Sequence, residues 1–359
     1  MNKTFLTTII LVLHAFFVIA QDRTKTSNAL LESIVKDGSA VGASGSYSVN
    51  GEVIWGAATG YADKDKKKNF TLDTEVRIAS IAKPMTAIAV MQLVEKGLLD
   101  INLPIDTYIP EFVQKGKTKI TTKHILSHTS GIGAYKNKKE GENTIIYTSL
   151  LDVYDVFKDR KLRFEPGTEY YYTSYGYVVL GILIEKISNL SYETYMQKHI
   201  WDKAEMTNTG IEKPEVKRKN ASSIYQRDRK GEIKESKTNN LTNRVPAGGF
   251  YSTVNDIIKF GNAIINHTLI NEETYDFMVQ HHSLEKVNNG YGFGFFLYGG
   301  KEKESNIIGH SGSQRGSSTQ FFVIPSLKTV IIVMANTSGA SREVSTVSGK
   351  LIDISQRKD

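Results

Sequence analysis

The chain contains no cysteine among its 359 residues. This absence excludes disulfide bonds, a thiol nucleophile, cysteine-ligated zinc and lipid attachment at an N-terminal cysteine. Histidine is also sparse, and the pairs His124/His128 and His281/His282 have no third ligand at a suitable spacing. We therefore expect no metal site and no cofactor.

Long hydrophobic runs are absent apart from one segment at the N-terminus. Residues 5–19 are apolar, follow Lys3 and lead into the small-residue sequence Val18-Ile19-Ala20. This pattern predicts a signal peptide over residues 1–20 and export of a single catalytic region, 21–359, to a periplasm or out of the cell. An uncleaved anchor is the alternative, but a run of about 15 residues is shorter than the roughly 20 that a membrane span needs.

The excess of positive charge is modest, because 45 Lys and Arg face 38 Asp and Glu. Lysines concentrate at 64–68 and 213–237 in polar, turn-like surroundings. Solvated loops are the simplest interpretation, and contact with an anionic cell wall or envelope is the alternative. No nucleic-acid motif accompanies this charge, so we predict no nucleic-acid partner, and the oligomeric state stays open.

Predicted strands lie at both ends of the chain around a helical middle. The turn Asn50-Gly51 joins the first two strands and is the strongest short hairpin signal. The middle, about 80–285, is mostly helical, and a last helix covers about 342–355. This order predicts an α/β (α+β) fold with one antiparallel sheet, flanked by helices and accompanied by a mainly helical second part. The predicted strands are 41–49, 53–59, 291–298, 306–310, 319–324 and 330–335.

Ser80 and Lys83 form the most informative pair in the chain. Side chains three residues apart share one face of a helix, so the amine can reach the hydroxyl. The apolar helix after Ser80 begins just before Pro84 and ends near Gly97, which places Ser80 at a helix N-terminus. A serine needs a nearby base to become a nucleophile, and a lysine can be that base if burial or neighbouring cations lower its pKa. An ordinary helix start is the competing interpretation.

A second group follows the Pro166-Gly167 turn. Tyr172 is a candidate base or proton shuttle beside Ser80, provided that a cation lowers its pKa below the usual ~10. Ser174, two residues later, can offer a hydroxyl to a substrate amide. The alternative is that the tyrosines here serve packing.

A third group, His310-Ser311-Gly312-Ser313, ends a predicted strand in glycine-rich surroundings. Glycine permits close approach of another backbone or a ligand. An edge strand there offers an N–H that can complete an oxyanion hole with the N–H of Ser80. His310 is a candidate for binding a substrate carboxylate or relaying a proton, although a polar surface role is the simpler one.

In this order, Ser-x-x-Lys, Tyr-Thr-Ser and His-Ser-Gly resemble the three motifs of the penicillin-recognising serine hydrolases, in the group of class C β-lactamases and D-alanyl-D-alanine carboxypeptidases. Further similarity comes from 126–131 (LSHTSG), 164–168 (FEPGT) and 245–250 (VPAGGF). Within the group, 77–83, 244–253 and 256–263 are similar to the serine β-lactamase-like proteases of mitochondria. The resemblance covers roughly residues 25–355.

The resemblance implies an acyl-enzyme mechanism and a β-lactamase/transpeptidase-like fold. Ser80 would attack a carbonyl while Lys83 and Tyr172 share the proton transfers, with the base left open between them. The N–H groups of Ser80 and Ser313 would hold the oxyanion, and Ser174, His310, Ser311 and Gly312 would contact a small-molecule or peptide substrate. Water would then release the acyl group.

Two departures from the family pattern bear on the substrate. The second motif usually ends in Asn and here ends in Ser174, and the third usually begins with Lys and here begins with His310. Both changes favour a peptidase or esterase over an efficient β-lactamase. A cell-wall D-alanyl-D-alanine carboxypeptidase and a weak β-lactamase are the enzymatic alternatives, and an exported binding or assembly protein with a degenerate site is the non-enzymatic one.

Overall fold

The computed structural model describes residues 22–282, 284, 290–298 and 307–357. The predicted signal peptide, 1–20, lies outside these residues, as does the first residue of the predicted strand 306–310. Within the described ranges, no helix combines the length and the apolar character that crossing a membrane requires.

The described helices and strands follow one another in the following order. The strands are β1 (Gly42–Val49), β2 (Glu52–Asp63), β3 (Lys68–Asn69), β4 (Val76–Arg77), β5 (Gly210–Ile211), β6 (Tyr225–Arg227), β7 (Ile233–Glu235), β8 (Phe250–Ser252), β9 (Phe296–Leu297), β10 (Ile308–Gln314), β11 (Ser317–Ile324), β12 (Thr329–Ala335) and β13 (Thr337–Ser338). The helices are α1 (22–36), α2 (Ala82–Glu95), α3 (Thr122–Leu126), α4 (Lys138–Gly141), α5 (Leu150–Phe157), α6 (Ser174–Ser188), α7 (Tyr192–Met196), α8 (Val245–Gly248), α9 (Val254–Ile265), α10 (Glu272–Met278) and α11 (Ser341–Ser355).

The main sheet has seven strands in the order β3-β2-β1-β12-β11-β10-β9, and its neighbours pair antiparallel. The N-terminal hairpin and the C-terminal strands therefore complete one sheet, as the sequence predicts. Asn50 and Gly51 both have positive φ, 53° and 84°, which is the geometry of the two-residue hairpin turn. The expected fold class is confirmed.

The strand β12 is apolar throughout because each of its faces meets a different core. Alternate side chains point to opposite sides of a sheet. Ile331 and Val333 pack with the terminal helices α1 and α11, whereas Val330, Ile332 and Met334 belong to the larger core that contains α2, α6 and α9. The central helix α2 is buried from Ala82 to Leu93, so its whole circumference faces the interior of the protein.

Three expectations about secondary structure need correction. The predicted strand 291–298 reduces to Phe296–Leu297, because Gly290 and Gly294 adopt positive φ and interrupt the extended chain. The strand predicted to end at His310 continues to Gln314, so the third motif lies within a strand. The mostly helical middle also contains the short strands β5 to β8, which form parts of two three-stranded sheets.

Arg77, just ahead of the Ser80 turn, fastens this turn to the rest of the fold. Its buried guanidinium forms a bidentate ion pair with Glu212 and donates to the carbonyl oxygens of Asn239 and Arg315 at 2.9 and 3.0 Å. From the other side, the Ser317 hydroxyl donates to the Arg77 carbonyl at 2.5 Å. These contacts join β4 to the end of β10.

We expect Arg77→Met to lower the free energy of unfolding by about 3–5 kcal/mol, because it leaves the largely buried Glu212 carboxylate without its main partner. Urea denaturation measures this loss. Lys186→Met is the matched control, since Lys186 pairs with Glu111 at the surface and its loss should barely move the unfolding midpoint. Equal midpoints for the two variants would refute the fastening role of Arg77.

Candidate active site

Ser80 lies in a 3₁₀ turn, Ala79–Ile81, that runs directly into α2. Ala79 has φ of 49°, a left-handed conformation that costs an L-residue roughly 1–2 kcal/mol. The side chains of Ala79 and Ile81 are buried, whereas Ser80 between them is half-exposed. A strained turn thus presents one hydroxyl to solvent at the start of a buried helix.

Lys83 is completely buried and points at this hydroxyl. Its Nζ lies 3.1 Å from Ser80 Oγ and donates to the carbonyl oxygen of Ala247 at 2.8 Å. Burial, with a further contribution from the nearby charge of Arg244, holds the pKa of Lys83 well below that of an ordinary lysine. No carboxylate of the described residues pairs with it. The arrangement favours a neutral amine beside the serine.

Tyr172 completes the cluster from the loop that precedes α6. Its ring centroid is 4.8 Å from Lys83 Nζ, and its hydroxyl oxygen is inaccessible to solvent. Burial raises the pKa of Tyr172 well above its ordinary value, and the neighbouring Ser80 hydroxyl acts in the opposite direction. A role for Tyr172 as a base depends on a lowered pKa. Because the pKa is raised instead, the phenol stays protonated.

His128, which belongs to a histidine pair that the sequence excluded as a metal site, packs against this tyrosine. The two ring centroids are 4.4 Å apart, and His128 Nδ1 accepts a hydrogen bond from the backbone N–H of Thr173 at 3.3 Å. Burial and the nearby Lys83 and His310 keep the pKa of His128 well below its usual range. The neutral imidazole therefore supports the backbone immediately after Tyr172.

We expect His128→Leu to lower kcat by about 10- to 100-fold with little change in KM, since a small displacement of a proton-transfer group is costly. His128→Asn should retain more activity, because Asn can accept the Thr173 N–H and tolerates the left-handed φ of 59° at this position. Steady-state kinetics on a neutral ester tests both. Equal kcat for Leu and Asn would contradict this role.

The strand β10 forms the opposite side of the cluster, and Gly312 lets it approach the Ser80 turn. A Cβ at Gly312 would lie 2.5 Å from the carbonyl oxygen of Ile78 and 3.1 Å from Ala79 Cβ. Ser311 and Ser313, on either side, are exposed on the outer face of the strand. Beyond Gly309 no strand of the described part pairs with this edge of β10, so it can offer backbone N–H groups to a substrate.

His310 points away from the solvent face and is fully buried. Its Nδ1 contacts the carbonyl oxygen of Ser311 at 2.6 Å, and its Nε2 lies 3.3 Å from the hydroxyl of Tyr291. Burial and the proximity of Lys83 lower its pKa to about 3. A neutral, enclosed imidazole does not attract a substrate carboxylate, so the geometry does not favour the predicted substrate contact.

Ser174 begins α6 and is half-buried beside Tyr135. Burial raises the pKa of Tyr135, whereas the charge of Arg244 and the hydroxyl of Ser174 act in the opposite direction. The guanidinium of Arg244 lies over the Tyr135 ring, 4.8 Å from its centroid. Neither Tyr135 nor Arg244 was identified from the sequence as a site residue, although Arg244 opens one of the stretches that carry the family resemblance.

The fold combines an antiparallel sheet with the buried helix α2, at whose start Ser80 lies beside Lys83. This arrangement is typical of serine enzymes that transfer acyl groups. A family model described as Beta-lactamase matches residues 28–350, and the chain belongs to this family.

Individual relatives agree with this assignment. The human mitochondrial serine beta-lactamase-like protein LACTB is 27% identical over 308 residues, which cover 67% of this chain and 56% of LACTB. The putative penicillin-binding protein PbpX of Bacillus subtilis is 30% identical over 297 residues, 80% of this chain and 70% of PbpX. The chain thus spans little more than half the length of LACTB.

Among solved structures, a penicillin-binding protein from Bacillus halodurans has the same fold. It superposes with a TM-score of 0.78 at 24% identity, over 89% of this chain and 98% of that one. This likeness supports the fold, and the chemistry has to be argued from the residues above.

Proposed function

We propose that this protein is a serine hydrolase that cleaves a peptide or ester bond through an acyl-enzyme on Ser80. One observation carries the proposal: a fully buried lysine amine lies 3.1 Å from a half-exposed serine hydroxyl. A buried amine without a carboxylate partner favours its neutral form, and a neutral amine is a base. Packing alone does not require a lysine at this position.

The environment assigns different proton roles to Lys83 and Tyr172. The neutral amine of Lys83 has a lone pair that can accept the Ser80 proton as the hydroxyl attacks the carbonyl. The Tyr172 phenol, whose pKa is raised, can donate but not accept a proton near neutral pH. We therefore assign Lys83 as the base for acylation and Tyr172 as a hydrogen-bond donor or acid toward the leaving group.

The tetrahedral intermediate needs hydrogen-bond donors for its oxyanion. The N–H of Ser80 lies in the turn ahead of α2, and Ser313 belongs to the free part of the β10 edge. We assign these two N–H groups to the oxyanion hole. A single donor of this kind contributes about 3–4 kcal/mol to transition-state stabilisation. The remaining predicted substrate contacts, Ser174, Ser311 and Gly312, stay predictions.

The proposed substrate class follows from Ser174 and His310, the two motif positions at which this chain differs from the usual family pattern. Since His310 is buried and neutral, the position that usually carries a lysine supplies no cation for the carboxylate of a β-lactam. Ser174 lacks the amide that can both donate and accept. A peptide or ester substrate fits these residues better than a β-lactam. The test below must separate the proposed activity from three alternatives, which are a D-alanyl-D-alanine carboxypeptidase, a weak β-lactamase and a non-enzymatic binding protein.

A fluorophosphonate probe tests the proposal because it reacts only with an activated serine. We expect one adduct, which peptide mass spectrometry places on Ser80, together with hydrolysis of p-nitrophenyl esters. Labelling by a fluorescent penicillin with turnover of a D-alanyl-D-alanine peptide would instead support the carboxypeptidase. Absence of any adduct on Ser80 in folded protein would favour a binding protein and end the proposal.

We further propose that the protein is exported to a periplasm or out of the cell, on the evidence of the charge, apolar run and cleavage pattern of residues 1–20. Fractionation of cells that express the full chain, followed by N-terminal sequencing, tests this. An N-terminus at residue 21 in the exported fraction is the expected result, and an intact cytoplasmic chain would contradict it.

A further inference from the structure

A cavity of about 310 Å³ opens beside Ser313 at the end of β10. Its wall comes from the segment around α4, from the residues ahead of α8 and from β10, and includes Tyr135, Glu142, Arg244, Ser313 and Arg315. This volume is in the range of small-molecule sites. Because Ser313 belongs to it, the cavity adjoins the proposed oxyanion hole.

The positive charges of this cavity are not equivalent. Arg315 forms a close ion pair with Glu142, and Lys138 Nζ lies 3.9 Å from the same carboxylate. Arg244, by contrast, has no carboxylate partner within the part of the chain that the structure describes. Its Nε donates to Asn243 Oδ1 at 3.0 Å, and its Nη2 is buried without any hydrogen bond. A buried guanidinium nitrogen without an acceptor is costly unless a ligand supplies one.

Arg244 is held in place and lies close to the reacting groups. Its guanidinium stacks over Tyr135, which restrains its plane. It directly precedes α8, in which the Ala247 carbonyl accepts from Lys83 and the Gly248 carbonyl accepts from Gln314 at 3.0 Å. The charge of Arg244 is also felt at Lys83. An anion bound to Arg244 would therefore lie in the same cavity as Ser313.

We propose that Arg244 binds a carboxylate on the acyl part of the substrate, so that this hydrolase prefers acidic acyl groups. The inference rests on the proposed function. A guanidinium matches a carboxylate through two parallel hydrogen bonds, which gives orientation as well as charge. Placement on the acyl part suits the chemistry, because this part occupies the site in both half-reactions: it becomes bonded to Ser80 as the leaving group departs, and water then breaks that bond.

Two esters of similar length with the same leaving group test the preference: mono-p-nitrophenyl glutarate, which carries a carboxylate, and p-nitrophenyl pentanoate, which does not. We expect Arg244→Gln to lower kcat/KM for the glutarate ester by about 10- to 100-fold more than for the pentanoate ester, the range expected for a charged hydrogen bond. Arg244→Lys should retain an intermediate preference. Lys138→Gln is the matched control, since it removes one charge from the cavity rim without changing the ratio of the two esters.

An unchanged ester ratio in Arg244→Gln would overturn the inference. An equal fall of this ratio in Lys138→Gln would also overturn it. Such a result would show that the overall positive charge of the cavity, and not a direct contact with Arg244, sets the preference. Calorimetric titration with glutarate separates this result from failure of the proposed function. If no ester is hydrolysed, glutarate binding by wild type that is lost in Arg244→Gln still supports the anion site, and absence of glutarate binding by wild type contradicts it.

Discussion

Ser80→Ala should lower kcat for p-nitrophenyl ester hydrolysis by about 10⁴- to 10⁶-fold, the range found when the nucleophile of a serine hydrolase is removed. The residual rate would come from the oxyanion donors and from binding, which the substitution leaves in place. Stopped-flow and steady-state assays measure the loss. In the wild type, a burst of p-nitrophenol equal to the enzyme concentration would report acylation, provided that deacylation is the slower step.

The substitution should not disturb the fold, because it removes a single oxygen atom from a half-exposed side chain. Thermal unfolding of Ser80→Ala should therefore match that of the wild type. Ser130→Ala is a suitable control, since the Ser130 hydroxyl accepts one local hydrogen bond from the Ile132 N–H. Ester hydrolysis that persists in Ser80→Ala at more than a hundredth of the wild-type rate would remove Ser80 from the mechanism.

Features that depend on neighbouring residues could be predicted from the sequence. Ser80 and Lys83 are one helical turn apart, so their contact follows from helix geometry alone. Asn50-Gly51 specifies its turn because both residues tolerate positive φ. The antiparallel sheet was also predictable, since β11 and β12 are rich in apolar and β-branched residues and end in turns.

The orientation of His310 could have been predicted but was missed. Within a strand, side chains alternate between faces, so His310 and Gly312 share one face while Ser311 and Ser313 share the other. The strand predicted from the sequence ended at His310, so this alternation did not extend to the two serines. Because β10 extends to Gln314 and both Ser311 and Ser313 are exposed, His310 must point to the opposite, buried face of the strand.

The contacts of Arg244, Tyr135 and His128 could not be predicted, because each partner lies far away in the chain. Arg244 stacks on a tyrosine 109 positions earlier, and His128 packs on Tyr172 from the loop ahead of another helix. A single sequence contains no periodicity that relates such distant positions. The strongest local indication of a role for His128 was the polar stretch 126–131. Within this stretch His128 adopts a positive φ, which is typical of a turn.

Lys83→Met should lower kcat/KM for ester hydrolysis by about 10²- to 10⁴-fold, which is the usual contribution of a general base. The two side chains have similar length, and the site is apolar enough to accept a thioether. In the wild type, kcat/KM should rise with pH to a plateau as Lys83 loses its proton, with a midpoint well below the ordinary lysine value of 10.5. The variant should lack this dependence. Steady-state kinetics across pH in both proteins makes the comparison.

The stability of the two proteins should also diverge with pH, in a direction fixed by the lowered pKa. Between the pKa of Lys83 in the folded state and 10.5, the unfolded chain holds a proton on Lys83 that the folded chain lacks. The stability of the wild type therefore gains about 1.4 kcal/mol per pH unit from this residue over that window, and Lys83→Met gains none. Urea denaturation at several pH values measures the difference. Parallel stability curves, with kcat/KM unchanged in the variant, would show that Lys83 is charged when folded and is not the base.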